Sequence, residues 1–269
     1  MLTVSKHARY ALAALAMAGL PATADAQSVE PPEHLYVQYS GSVLILKVAN
    51  ISLTAGFNDG VYSAGATFES GGLLRWFDDT NIEATSNGYR QPEGLSPYRY
   101  EHINHASNKG RVVGINFDEG VAMPDVQPPF GSMGEPPATD EERAGALDPI
   151  STLLSLMTGL PNDEHGVCEG RLPVFDGKAR YNLRLNNLGL DDVRTRAWSG
   201  EAIRCQAFIE PISGYDNGDR PDEDETARPV IIWLAPVDGV NVPVRFRAQT
   251  QIGAITIQAT QLYAGDATQ

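Results

Sequence analysis

Arg171-Leu172-Pro173-Val174-Phe175-Asp176-Gly177-Lys178-Ala179-Arg180-Tyr181-Asn182-Leu183-Arg184-Leu185 is the stretch that decides the fold. Tyr181, Leu183 and Leu185 alternate with Arg180, Asn182 and Arg184, the period of two that puts one apolar and one polar face on a β-strand. Asp176-Gly177 supplies the tight turn that joins this strand to the β-favouring run before it.

The same grammar recurs along the chain. Val244, Phe246 and Ala248 alternate with Arg245, Arg247 and Gln249, and Ile255 and Ile257 with Thr256 and Gln258. Turn signals stand at Asn58-Asp59-Gly60, Asn87-Gly88, Asn108-Lys109-Gly110, Ser199-Gly200 and Asp238-Gly239. Further strands are predicted at 35–40, 43–53, 61–68, 98–104, 111–117, 203–209 and 230–234. Sequential strands joined by short turns predict an all-β fold with minor α content, an antiparallel meander curled into an open or incomplete β-barrel.

One segment has a different period. Asp148 can cap a helix with Pro149 at its first position; Ile150, Leu153, Leu154 and Met157 fall on one face; Gly159 and Pro161 end it. This amphipathic helix must bury its stripe, so it is expected to pack on the curled sheet and line or plug its open side. Leu73, Leu74, Trp76 and Phe77 suggest a second, shorter helical turn. Residues 123–142 hold Pro124, Pro128, Pro129, Pro136 and Pro137 and little that packs, and are expected to form a flexible loop.

The N-terminus carries the three parts of a secretory signal: basic Lys6 and Arg9, an apolar run over 10–20, and small Ala24 and Ala26. Cleavage after Ala26 would leave 27–269 as a single β domain. The apolar run is about half of the ~20 residues a spanning helix needs, so the mature chain is expected not to span a membrane. The first cysteine, Cys168, lies far from any lipid-anchor position. These features predict a periplasmic protein. In an oxidising compartment Cys168 and Cys205 are expected to form a disulfide worth about 3–4 kcal/mol on the chain-entropy account.

Asp and Glu number 34 against 20 Lys and Arg, for a net charge of −14, which makes nucleic acid a poor partner. No G-x-S-x-G, G-x-G-x-x-G, phosphate loop, H-E-x-x-H or EF-hand loop occurs, so no catalytic residue, metal site or cofactor is assigned. His34, His102, His105 and His165 are not spaced as a ligand set. The acid-rich stretch from Tyr215 to Thr226 could offer oxygens to calcium but matches no calcium loop, and such runs are more often solvated.

Charge is unevenly distributed, however. If the faces bearing Arg180, Arg184, Arg204, Arg245 and Arg247 coincide, they could line a site for an anionic group such as a lipid head or a cell-wall carboxylate. The plainer reading is a polar outer side whose arginines pair with the surplus acids.

Asp148-Pro149-Ile150-Ser151 with Leu153-Leu154, Cys168 ahead of Val174-Phe175-Asp176-Gly177 with Arg180-Tyr181, then Cys205, and Pro243-Val244-Arg245 with Gly253 follow one another in that order. Together these segments resemble the bacterial exported family known as domain of unknown function 3108. The resemblance implies an exported protein of partly open antiparallel β architecture with no assigned reaction. The proline-rich loop and the acidic insert near Asp222 depart from it.

The function expected on these grounds is non-enzymatic support of the cell envelope, with a lipid or other amphiphile held in the curled sheet. The alternative is a scaffold module contacting envelope proteins; a cell-wall or lipid hydrolase ranks last. The interior discriminates: a cavity lined by apolar side chains favours carriage, and dense packing favours a scaffold.

Overall fold

The computed structural model describes residues 31–44, 46–71, 80–108, 110–159, 166–250 and 253–266. The expected signal peptide, the helical turn at 73–77 and His165 lie outside them. Thirteen strands form one antiparallel sheet: β1 His34–Val43, β2 Leu46–Asn58, β3 Val61–Ser70, β4 Asn81–Gln91, β5 Gly94–Asn104, β6 Val112–Asp118, β7 Val121–Gln127, β8 Gly170–Phe175, β9 Arg180–Arg194, β10 Ser199–Ser213, β11 Val230–Val237, β12 Val240–Thr250 and β13 Gly253–Gly265. The helices are α1 Asp140–Arg143, α2 Pro149–Thr158 and α3 Glu223–Thr226.

The strand order is β7-β6-β5-β4-β3-β2-β1-β13-β12-β11-β10-β9-β8. Two meanders, β1 to β7 and β8 to β13, therefore join through the first and last strands, and the sheet nearly closes into a barrel with one unsealed seam, between β7 and β8.

The chain between the meanders stitches part of that seam. Gly145 N–H donates to the Gly120 carbonyl and the Arg143 guanidinium to that of Ala122, beside β7. Leu147 N–H donates to the Pro173 carbonyl, and Phe175 N–H to that of Leu147, on β8. These bonds satisfy edge groups that the missing strand pairing leaves open.

Helix α2 then runs between the two halves, touching β3, β4, β5, β8 and β12. Ile150, Leu154 and Met157 enter the main core; Leu156 joins a second cluster with the disulfide-bonded Cys168 and Cys205, Leu172, Leu185, Ile232 and Leu234. Ser151, Thr152 and Ser155, which read as the helix's polar side, are buried as well.

Three parts of the sequence reading are corrected. Asn87-Gly88 is no turn but the middle of β4. Glycine is needed there because a Cβ would lie 2.5 Å from Tyr62 Cε1 and its hydroxyl and 2.6 Å from the Ser96 carbonyl. Ser199-Gly200 opens β10, and the turn before it is closed by Thr195 N–H donating to the Trp198 carbonyl.

The proline-rich segment begins inside β7, where Pro124 is tolerated because β7 is an edge strand paired only with β6, and ends in α1. Between them, Glu135 N–H donates to the Tyr215 carbonyl and Gly214 N–H to that of Pro136. A Cβ on Gly134 would stand 2.2 Å from the Gly214 carbonyl carbon, so the two backbones cross in contact.

Cys168 and Cys205 are joined as expected, with Cα atoms 5.8 Å apart, tying the chain ahead of β8 to β10.

Two stability changes follow. Gly88→Ala is expected to lower unfolding free energy by about 1–3 kcal/mol through overpacking against Tyr62, measured by urea denaturation. The double variant Cys168→Ser/Cys205→Ser should lose about 2–5 kcal/mol, and wild type under reductant should fall to the same curve.

Candidate functional site

The inner faces of the strands are fixed by register. Phe246 pairs with Ile232 on one side and Ile257 on the other, and Ala248 with Ile255. Tyr39 and Gly41 continue that row on β1, and Ile51 and Leu53 on β2. Between them lies a half-open cavity of about 310 Å3, lined by Tyr39, Ile51, Ser52, Leu53, Ala66, Leu153, Val230, Phe246, Ala248, Ile255 and Ile257. Among the described residues its exposed wall presents no polar atom.

Two features leave the space open. Ala66, paired with Leu53 on one side and Ala84 on the other, and Ala248, paired with Ile255, offer only methyl groups to it, and Leu153 is the one residue of α2 among the lining residues described. The Tyr39 ring contributes to the wall, while its hydroxyl is buried without a hydrogen-bond partner among the described residues. Burial pushes that phenol's pKa well up. The apolar alternation at 244–248 and 255–257 was legible in sequence. That the faces leave a half-open space between them was not, because alternation is the same around a void as around a packed core.

A buried carboxyl group holds α2 in place. Asp148 Oδ1 accepts from Ile150 and Ser151 N–H at 3.0 and 2.9 Å; Oδ2 accepts from the Ser86 hydroxyl at 2.9 Å and from that of Ser151. Tyr62 closes the network 2.7 Å from Ser151 Oγ. Among the described residues no histidine joins this set. With both Asp148 oxygens used as cap and anchor, it ties the helix to β3 and β4. Desolvation raises the Asp148 pKa above the usual carboxylate range, against the hydrogen bonds that lower it.

The predicted arginines sit elsewhere. Arg184 pairs in register with Phe208, Arg204 with Trp233, and Trp233 with Arg245. Alternation along β10 and β12 therefore puts Arg184, Arg204, Arg245 and Arg247 on one face, opposite that of Phe246 and the cavity. There Arg184 lies 4.2 Å over the Phe208 ring and shares Glu210 with Arg171. Arg204 and Arg245 approach the Trp233 ring at 6.0 and 5.6 Å; Arg245 also donates to the Arg194 carbonyl, and Arg247 is exposed.

Arg180 is separate and buried, donating to the Glu142 and Tyr181 carbonyls and to Asn182 Oδ1. The groups these arginines meet are the chain's own.

His102 bonds Tyr100 and His105 pairs with Glu83. Among the described residues no group of three His, Cys, Asp or Glu side chains is placed to hold a metal ion. The acid-rich stretch forms α3, capped by Asp222.

Asp148 gives a test by pH. Its folded pKa lies above the unfolded value of about 3.9. Between the two values the native state keeps a proton that the unfolded chain releases, so this group's contribution to stability is lost as pH rises through that window. Asp148→Asn, which can still cap, should remove that pH dependence. Asp148→Ala should cost about 2–4 kcal/mol on the acid side of that window by stranding Ser86, Ser151 and the first-turn N–H groups, and the cost should shrink as pH rises through it. Urea melts from pH 4 to 8 check both.

Among proteins of curated function none is measurably similar in sequence. Among solved structures, the chain is similar to the β-barrel-like protein of domain of unknown function DUF1849 from Brucella abortus. That similarity has TM-score 0.50 at 9% identity, over 87% of this chain and 99% of that one. It also overlaps hypothetical protein CT021 from Chlamydia trachomatis, with TM-score 0.38 at 7% identity, over 89% and 90% of the two chains. At such identities the first similarity speaks for the barrel-like fold alone. The sequence profile of the proteins of unknown function DUF3108 matches residues 36–260, most of the chain, and the protein belongs to that family.

Proposed function

We propose that the protein is a non-enzymatic carrier or receptor of the cell envelope that holds the hydrocarbon part of a lipid or other amphiphile in the barrel cavity. The observation that carries this reading is the cavity itself, about 310 Å3 with a wholly apolar exposed wall. That is about twice the volume of an engineered apolar cavity that stays dry and takes up benzene. It falls at the lower end of ordinary ligand pockets.

The chemistry of the occupant follows from the wall. Among the described residues no charged side chain lines the space, so a carboxylate or phosphate drawn inside would be desolvated without a partner there. Hydrocarbon alone meets no such penalty. A scaffold module would fill its interior, so the cavity favours carriage.

A periplasmic setting agrees with two observations: the buried Cys168–Cys205 disulfide, which persists in oxidising compartments, and the signal-type N-terminus. The Asp148, Ser86, Ser151 and Tyr62 network serves to hold α2, which supports a binding rather than a catalytic role.

Native mass spectrometry of protein released gently from the periplasm tests the reading. A discrete mass increment that denaturation removes is expected, and it should disappear in Ala66→Phe, which fills the cavity from β3. A bare wild-type mass, together with failure to take up N-phenyl-1-naphthylamine in solution, would sink the carrier reading.

A further inference from the structure

The β1–β2 tip breaks a rule that the chain's other hairpins obey. Where a hairpin turn needs a left-handed residue, the protein uses Asp59, Glu119 and Asp238, each followed by glycine. At the β1–β2 turn the left-handed residue is Leu44, at φ +54°, in the sequence Val43-Leu44-Ile45-Leu46. A bulky side chain in that region is strained, and asparagine or glycine would relieve it. Leu44 is moreover 71% exposed and Leu46 51% exposed. Neither turn propensity nor burial accounts for two leucines at this place.

Register connects the tip to the cavity. Leu46 pairs with Val43, Val43 with Ile255, and Ile255 with Ala248. Directly paired residues share a face, so these four form one apolar row across β2, β1, β13 and β12. Its far half, Ile255 and Ala248, is cavity wall, and its near half ends at the exposed tip. Leu44 is braced against β13, its N–H donating to the Ala254 carbonyl and its Cδ2 3.3 Å from where a Gly253 Cβ would stand. Exposed Lys47 follows the tip, a cation whose stem can lie along a membrane interface with its head in water.

We propose that this tip is a bilayer-contacting element. Leu44 and Leu46 enter the interfacial layer of a lipid membrane, and a hydrocarbon chain passes along the row Leu46, Val43, Ile255, Ala248 between bilayer and cavity. The occupant is a lipid surface rather than a protein because the apolar row leads without a break from the exposed tip into a space that admits hydrocarbon alone. With a net charge of −14, the contact works by apolar insertion and not by attraction to anionic headgroups. The inference rests on the carrier reading given above.

The test uses Leu44→Asn/Leu46→Thr, substitutions that suit a left-handed turn and a strand and therefore keep the fold. Three measurements are made on wild type and variant: thermal midpoint, uptake of N-phenyl-1-naphthylamine from solution, and withdrawal of the same dye from phosphatidylcholine vesicles, read in the supernatant after the vesicles are sedimented. The variant is expected to melt no lower than wild type and to take dye from solution unchanged. Withdrawal from vesicles should fall about tenfold or more. Withdrawal at the wild-type rate would overturn the tip proposal and leave the cavity reading intact. Loss of solution uptake in the wild type itself would instead remove the cavity reading, and the tip proposal with it.

Discussion

A sheet whose two edge strands never pair is the constraint on which the rest of this structure depends. β7 and β8 end the order of thirteen strands, and the seam between them leaves backbone groups and apolar side chains in need of cover. The chain answers with its own connection: residues 143–147 bond to both edges, and α2 follows at once with its cap carboxylate sunk among Ser86, Ser151 and Tyr62. Position and orientation of the helix are thereby set at one end by polar bonds and along its length by the two apolar clusters. The cavity is a consequence. A helix anchored beside the seam reaches the space between β1, β2, β12 and β13 with Leu153, and the small side chains of Ala66 and Ala248 leave that space unfilled.

Much of this was written in the sequence, and the exceptions have physical causes. The hairpin at Asp176-Gly177, the helix opened by Asp148-Pro149 and the cysteine pair were all legible, because turn chemistry, capping and oxidation act locally or by count. Strand β4 escaped notice because its inward positions Ala84, Ser86 and Gly88 are small or polar, kept so by Tyr62 and the helix cap pressing on them. β7 was hidden by Pro124, which an edge strand accepts. The burial of Ser151, Thr152 and Ser155 was invisible for a similar reason, since a serine or threonine inside a barrel reads in sequence like one facing water.

The two faces of the β8–β12 half divide the protein's chemistry. Outward, arginines stack on Phe208 and Trp233 and meet Glu210 and backbone carbonyls. Inward, Phe246, Ile255 and Ile257 face the cavity without a polar group among them. Sequence could list the arginines but not say that alternation set them away from the concave side, since a face becomes inner or outer only when the sheet curls. The B. abortus barrel-like protein shares the fold at 9% identity, so the architecture tolerates nearly complete replacement of side chains.

The pairing of β1 with β13 carries a temporal consequence. Val37 and Leu262 meet across almost the whole length of the chain, while every other strand pair is a sequence neighbour. In a chain delivered N-terminus first, the meander from β1 to β7 can assemble while the inner edge of β1 still has no partner, and that edge waits until the last strand arrives. For that interval an apolar edge carrying Leu35, Val37 and Tyr39 is open to whatever strand comes near. A pairing lined by buried side chains in the finished barrel is thus an open edge during synthesis, and assembly is a race between β13 and the crowd.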